Sequence, residues 1–237
     1  MDDLDKQIEE AEKEWLASWV KGPTRLRWTK PPLQVGDPAP DFELLDSTGK
    51  SVHLSDFWKL GPALIMFWRH YGCSCGIDRA KRLQAEYAEY VKAGGHVVVI
   101  GQGEPERAAL YAQNQNIPCP VLCDPTYQVY QAYDLLEGKP SQVVFDLGDE
   151  YLRCDVEAGK KMLATRHGTS RAVVDSPWQL PGEFVVDKHG IIRLAYRYQY
   201  CEDWPNHLVL SSAIKEAVRD MSKARSLESF ADSNSRG

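Results

Sequence analysis

Hydrophobic and polar positions repeat on more than one period along the chain, and the changes of period divide it into elements. Residues 63–68, ALIMFW, form an unbroken apolar run beside Gly61-Pro62. A run of that length predicts a strand buried on both faces. From residue 77 the period lengthens: Leu83, Tyr87, Tyr90 and Val91 recur at three- and four-residue steps with charges between them, which predicts an amphipathic helix over 77–91. Near the N-terminus Leu4, Ile8, Ala11, Trp15 and Trp19 share one stripe, so residues 2–20 read as a helix stopped at Gly22-Pro23. Two tryptophans on one stripe need cover, either from the rest of the chain or from a second copy in a homodimer; docking within the chain is the simpler expectation.

The remaining elements follow in order. Residues 24–40 form a proline-punctuated extended linker. Residues 42–45 and 52–54 make a hairpin, and Ser55 starts a short turn through Trp58. A buried strand is expected over 96–100, a helix over 104–116 with Pro105 in its first turn, and a short strand at 121–122. A helix from Asp124 to Tyr133 and a strand over 142–145 come next. Residues 146–178 match no single pattern; they read as a surface insertion with a helix over 156–165, either shaping a substrate entrance or simply extending a loop. Strands at 183–186 and 191–196 flank the turn Asp187-Lys188-His189-Gly190. A helix over 208–222 closes the domain, and the polar tail beyond is expected to be disordered. The division is thus an N-terminal arm and linker (1–34), one domain (35–224) and a tail (225–237). Strands alternating with helices make this an α/β layer fold with a mixed sheet.

Composition narrows the function classes. The chain has 237 residues, 43% hydrophobic and 26% charged, with a net charge of −6. Its sequence pI is about 5.6. These values argue against nucleic acid or an anionic membrane surface as partner. The acidic, polar start MDDLDKQIEEAEKEW is unlike a signal peptide, no apolar run reaches bilayer length, and a cytoplasmic location is expected. Gly101-Gln102-Gly103 lacks the spacing of a dinucleotide fingerprint. Six cysteines in such a chain, two of them one residue apart, point to redox or metal chemistry rather than a disulfide framework.

Cys73 and Cys75 fall on the turn between the central strand and its helix. A thiol there meets unpaired backbone N–H groups and the positive end of the helix dipole, both of which favour thiolate. Arg69 and His70 add positive charge nearby, and are candidates to orient a substrate or act as an acid; on an exposed polar turn they would have no such role. Cys73 is the candidate nucleophile and Cys75 the candidate resolving thiol, since Cα atoms of residues i and i+2 can reach disulfide range if the turn bends. Cys73, Cys75 and His70 could instead hold a soft ion such as Cu(I) or Zn. Cys119 and Cys123 read as small apolar core residues. Cys201, in YQYCEDW, is a distant candidate for disulfide exchange with Cys73.

The order of four segments resembles a known family. VGDPAPDFEL (35–44), FWRHYGC (67–73), PVLCDP (120–125) and LPGEFVVDKHGIIR (180–193) are similar to pieces of the peroxiredoxin-like branch of the alkyl hydroperoxide reductase/thiol-specific antioxidant group, in the thioredoxin superfamily. The resemblance implies a thioredoxin-like fold and a thiol-dependent oxidoreductase without bound cofactor or metal. Its substrate would be a peroxide, attacked by Cys73 to give a sulfenic acid, or a disulfide. Its reductant would be an external thiol such as a thioredoxin or a low-molecular-weight thiol. The resemblance also places Pro181 opposite Cys73, preceded by a cis peptide as in thioredoxins. The chain departs from the pattern at four points, one of them Pro181, which occupies the region where peroxiredoxins place an arginine shortly before the late strand. Met66 and His70 stand where peroxiredoxins carry Pro and Thr before the reactive cysteine, and Gly76 stands where the second thioredoxin cysteine would be.

Overall fold

The computed structural model describes residues 3–144, 148–164 and 175–234, with side chains described through residue 220. Chain order is α1 (Asp3–Lys21), β1 (Glu43–Asp46), β2 (Ser51–His53), a 3-10 turn (Leu54–Phe57), β3 (Ala63–Phe67), α2 (Ser74–Lys92), β4 (His96–Gly101), α3 (Pro105–Asn114), β5 (Val121–Cys123), α4 (Gln128–Ala132), α5 (Pro140–Val143), α6 (Asp149–Leu152), α7 (Val156–Ala164), β6 (Gly182–Val186), β7 (Ile192–Arg197) and α8 (His207–Asn234). The described strands form one mixed sheet in the order β2-β1-β5-β4-β3-β6-β7. β3 lies at its heart, parallel to β4 on one side and antiparallel to β6 on the other.

The unbroken apolar run of β3 has a simple cause: both faces of the strand are covered. Leu64 and Met66 point into a cluster with Leu83 of α2 and with Leu210 and Ile214 of α8. Ala63, Ile65 and Phe67 point the other way, toward Tyr130, Tyr133 and Phe184. Phe67 meets Tyr130 and Phe184 edge to face, with centroids 5.0 and 5.7 Å away.

The apolar stripe of α1 is covered within the chain. Trp15 stacks on Trp19 at 5.2 Å and Trp19 on Trp178 at 5.0 Å, while the Trp178 indole N–H donates to the Ser18 carbonyl (2.7 Å). Ala158 and Met162 of α7 complete this cluster. The described part of the insertion is therefore the dock for the N-terminal arm, and neither tryptophan needs a second copy to shield it.

Three expectations are corrected. Residues 142–145 do not begin a strand: Pro140 opens the short helix α5, and the Gln142 side chain accepts from the Lys139 N–H (2.8 Å), a local cap that outcompetes the apolar alternation. Phe145 lies outside the described residues. The helix after Asp124 begins only at Gln128, and the Asp124 carboxylate accepts from the N–H groups of Gln128, Val129 and Tyr130. The closing helix does not stop at 222 but runs to Asn234, so residues 225–234 are helical rather than a disordered tail. No glycine or proline interrupts the chain between Pro205 and Gly237, and polar composition alone does not end a helix.

Replacing Trp19 with Ala removes the middle ring of the stack. The expected loss is about 3–5 kcal/mol, the usual cost of deleting a buried aromatic, read from equilibrium urea unfolding of the full chain. A loss near zero would show that the arm is not docked.

Candidate active site

The site is built where β3 ends. Trp68 stays tied to the sheet by its N–H, which donates to the Ile100 carbonyl (2.8 Å). The chain then turns, the Cys73 N–H donating to the His70 carbonyl (3.0 Å), and Cys73 becomes the N-cap of α2 in extended conformation. Cys73 and Cys75 come together sulfur to sulfur, their Cα atoms 5.4 Å apart. Both are buried, Cys73 at 7% exposure and Cys75 at 2%, so the residue nearer the strand is the more open of the two.

Gly76 explains why the partner cysteine sits at i+2. A Cβ on Gly76 would lie 2.9 Å from the Tyr111 hydroxyl and 3.2 Å from Trp68 Nε1, the two atoms that hydrogen-bond to each other at 2.9 Å. The first turn of α2 rests on that pair and leaves no room for a side chain. Tyr111 also stacks on Tyr71 at 4.5 Å. Tyr71 in turn lies against the bare Cα of Gly103, where an added Cβ would come within 2.6 Å of its ring. This packing accounts for a glycine that belongs to no nucleotide motif.

Behind the cysteines is a small cavity lined by Cys75, Cys201, Arg69, Pro181, Glu183 and Tyr198. Its polar wall is a buried network: Arg79 Nε and the Tyr198 hydroxyl both donate to Glu183 Oε1, at 2.8 and 2.7 Å. Arg79 reaches Glu86 as well (3.1 Å). Burial opposes the Arg79 charge, but Glu183 beside it holds the guanidinium protonated, well above its ordinary value. A groove walled by Leu26, Trp28, Leu135 and Gln199 meets the cavity at Pro181 and Tyr198.

The expected site residues are brought together with some changes. Arg69 and His70 are buried, not exposed on a polar turn. Arg69 donates to the carbonyls of Gln179 (2.6 Å) and Pro177 (2.8 Å), so two of its groups hold the approach to β6. Its burial lowers its pKa, while the nearby Cys201 sulfur acts in the opposite direction. Pro181 lines the same cavity as Cys75, but the Leu180–Pro181 peptide is trans, as are the other peptides among the described residues. The Leu180 N–H and the Pro181 carbonyl are satisfied by Leu136 and Tyr198 (3.0 and 3.1 Å) without a cis bond. Among the described residues no group of three or more His, Cys, Asp and Glu side chains is placed to hold a metal ion. Cys123 is buried in the sheet core and Cys119 packs beside it, burial pushing each thiol up to about 12. Cys201 packs against the cysteine pair under Trp204.

Tyr198 and Trp204 bound the YQYCEDW segment that the sequence singled out around Cys201, whereas Arg79 and Glu183 went unnoticed. The available signal was charge in the wrong phase: Glu183 interrupts an apolar strand, and Arg79 falls on the buried side of α2.

A family model described as AhpC/TSA family matches residues 35–195. Thioredoxin-like protein AAED1, chloroplastic, of Arabidopsis thaliana is 31% identical over 105 residues, covering 44% of this chain and 42% of that protein. Peroxiredoxin Bcp of Escherichia coli (strain K12) is 30% identical over 103 residues, covering 43% of this chain and 65% of that protein. The chain thus spans less than two thirds of either relative's length. The crystal structure of Peroxidoxin BcpB from Mycobacterium tuberculosis superposes with a TM-score of 0.55 at 17% identity, covering 78% of this chain and 98% of that one. A likeness at that identity establishes the thioredoxin-like fold.

Gly76→Cys would recreate the Cys-x-x-Cys spacing. It is expected to destabilise the chain by about 1–3 kcal/mol, the cost of overpacking a filled site, and to broaden or shift Trp68 emission by breaking its bond to Tyr111. Unchanged denaturant stability would show that the α2 start has room to move.

Proposed function

The chain belongs to the AhpC/TSA family, and on that premise we propose that it is a thiol-dependent oxidoreductase that reduces peroxides through Cys73. The observation that carries this reading is the pairing of Cys73 with Cys75 at the start of α2. The Cys73 thiolate attacks the terminal oxygen of a hydroperoxide. The O–O bond breaks, the alcohol leaves with a proton, and Cys73 becomes a sulfenic acid. The Cys75 thiol then attacks the Cys73 sulfur, water departs, and a disulfide joins the two. An external dithiol such as a thioredoxin, or two low-molecular-weight thiols, returns two electrons and two protons.

The site supports each step in a specific way. Cys73 is the N-cap of α2, and the positive end of a helix dipole favours a thiolate at that position. The groove meeting the cavity at Pro181 gives a reductant an approach to the Cys75 side of the pair, while Cys73 is the more exposed of the two cysteines. Free thiols at Cys119, Cys123, Cys154 and Cys201 suit a reducing compartment such as the cytoplasm. No helix among the described residues is long and apolar enough to cross a membrane.

A second reading is reduction of disulfides in other proteins. Met66 and His70 in place of the peroxiredoxin Pro and Thr favour it, as does Pro181 at the mouth of the cavity; the trans peptide before Pro181 counts against it. Stopped-flow peroxide consumption set against insulin reduction separates the two activities.

Cys73→Ser is expected to lower peroxide consumption by several orders of magnitude. Cys75→Ser should keep the first attack and leave Cys73 as a long-lived sulfenic acid, captured by a dimedone-type reagent and located by peptide mapping. Loss of the first attack in Cys75→Ser, with retention in Cys73→Ser, would reverse the assignment.

A further inference from the structure

The cavity behind the pair holds a third sulfur. Cys201 follows β7 on a turn, its N–H donating to the Gln142 carbonyl (2.9 Å), and it packs in one apolar cluster with Cys73 and Cys75. Cys75 and Cys201 are both walls of the cavity; Cys73 is not. Among the free cysteines Cys201 alone joins this cluster, since Cys119 and Cys123 sit with the sheet core and Cys154 with the α1–α7 cluster. We propose that Cys201 is a third redox thiol, which takes over the disulfide by attacking Cys75 and so releases Cys73.

The inference rests on Cys73 and Cys75 being the redox pair. Exchange is redox-neutral: the Cys73–Cys75 bond breaks as the Cys75–Cys201 bond forms, and the proton lost by Cys201 goes to Cys73. The direction follows from the leaving group. The Cys73 thiolate departs from the N-cap of α2, where the positive end of the helix dipole favours it, and the better-stabilised thiolate leaves faster. Burial raises the Cys201 pKa, which slows its attack, and the neighbouring Arg69 charge opposes that rise. Arg69 is fixed beside Cys201 by its bonds to Pro177 and Gln179. Its role here is to support the incoming thiolate, whereas a role toward peroxide oxygens would need it to face Cys73. The external reductant then acts on Cys75–Cys201, while Cys73 is free to meet another oxidant molecule.

The test loads a disulfide without peroxide. Reduced full-length protein is treated with one equivalent of diamide, quenched with acid over a time course, alkylated and mapped. The expected result is a Cys75–Cys201 link that grows as the Cys73–Cys75 link declines, with Cys73 regaining its alkyl label. Cys73→Ser should form Cys75–Cys201 outright, and Cys201→Ser should stop at Cys73–Cys75. Cys201 fully alkylated at all times in the wild type, together with two free thiols in Cys73→Ser, overturns the proposal. With peroxide, the wild type is expected to consume twice the equivalents that Cys201→Ser consumes before reductant is added; equal consumption also counts against it. Because diamide supplies the oxidation, a chain that ignores peroxide yet forms Cys75–Cys201 sinks the peroxidase reading and keeps the exchange. A peroxidase whose Cys201 never oxidises does the reverse.

Discussion

The site depends on how firmly the end of β3 is held. The strand is hydrogen-bonded to β4 along one edge and β6 along the other, and its side chains are buried on both faces. Phe67 therefore has no freedom to shift, and the turn that follows starts from a fixed point. A reactive cysteine needs a defined geometry relative to its partner more than it needs exposure. The parallel neighbour β4 supplies the carbonyl that anchors Trp68, and the antiparallel neighbour β6 brings Gly182 beside Phe67 and Pro181 just beyond it. One strand thus brings the cysteine turn and the opposing proline segment together.

Much of this was legible from periodicity. The apolar run at 63–68 suited a doubly covered strand better than a helix, and the switch to three- and four-residue steps located α2 closely. The stripe carrying Trp15 and Trp19 was equally clear. What the sequence lacked was the identity of the covering partner: Trp178 and Met162 lie far along the chain, in a segment with no period of its own. Short capped elements were missed for a related reason. A four-residue helix such as α5 depends on a proline and one side-chain bond, and a window of alternating residues does not reveal either.

At the site, residue types were legible and their neighbours were not. Two cysteines on a turn announced redox chemistry and Cys201 stood out as a distant exchange candidate, but only the fold packs it against them across more than a hundred positions. Buried charge was the underused clue. Arg69, Arg79 and Arg107 are each nearly inaccessible, and each is held by carbonyls or carboxylates from a distant segment: 177–179, Glu183 and Asp175 respectively. A cation is tolerated in such places only where partners are fixed in advance. These three mark the seams where the β6 approach is fastened to the α2 and α3 layers.

The arm has a consequence for where this protein begins and ends as a folding unit. The matched family segment stops at 195 and starts at 35, yet Trp19 stacks on Trp178, whose two neighbours, Pro177 and Gln179, clamp Arg69 against the sulfur cluster. Cys201, Trp204 and the covering helix α8 also lie past 195. A fragment trimmed to the recognisable family boundaries would carry the cysteine turn but lose one wall of its chamber and the latch on another. Ancestry and architecture have different borders in this chain. The part inherited in recognisable form is smaller than the part that must fold for the chamber to close.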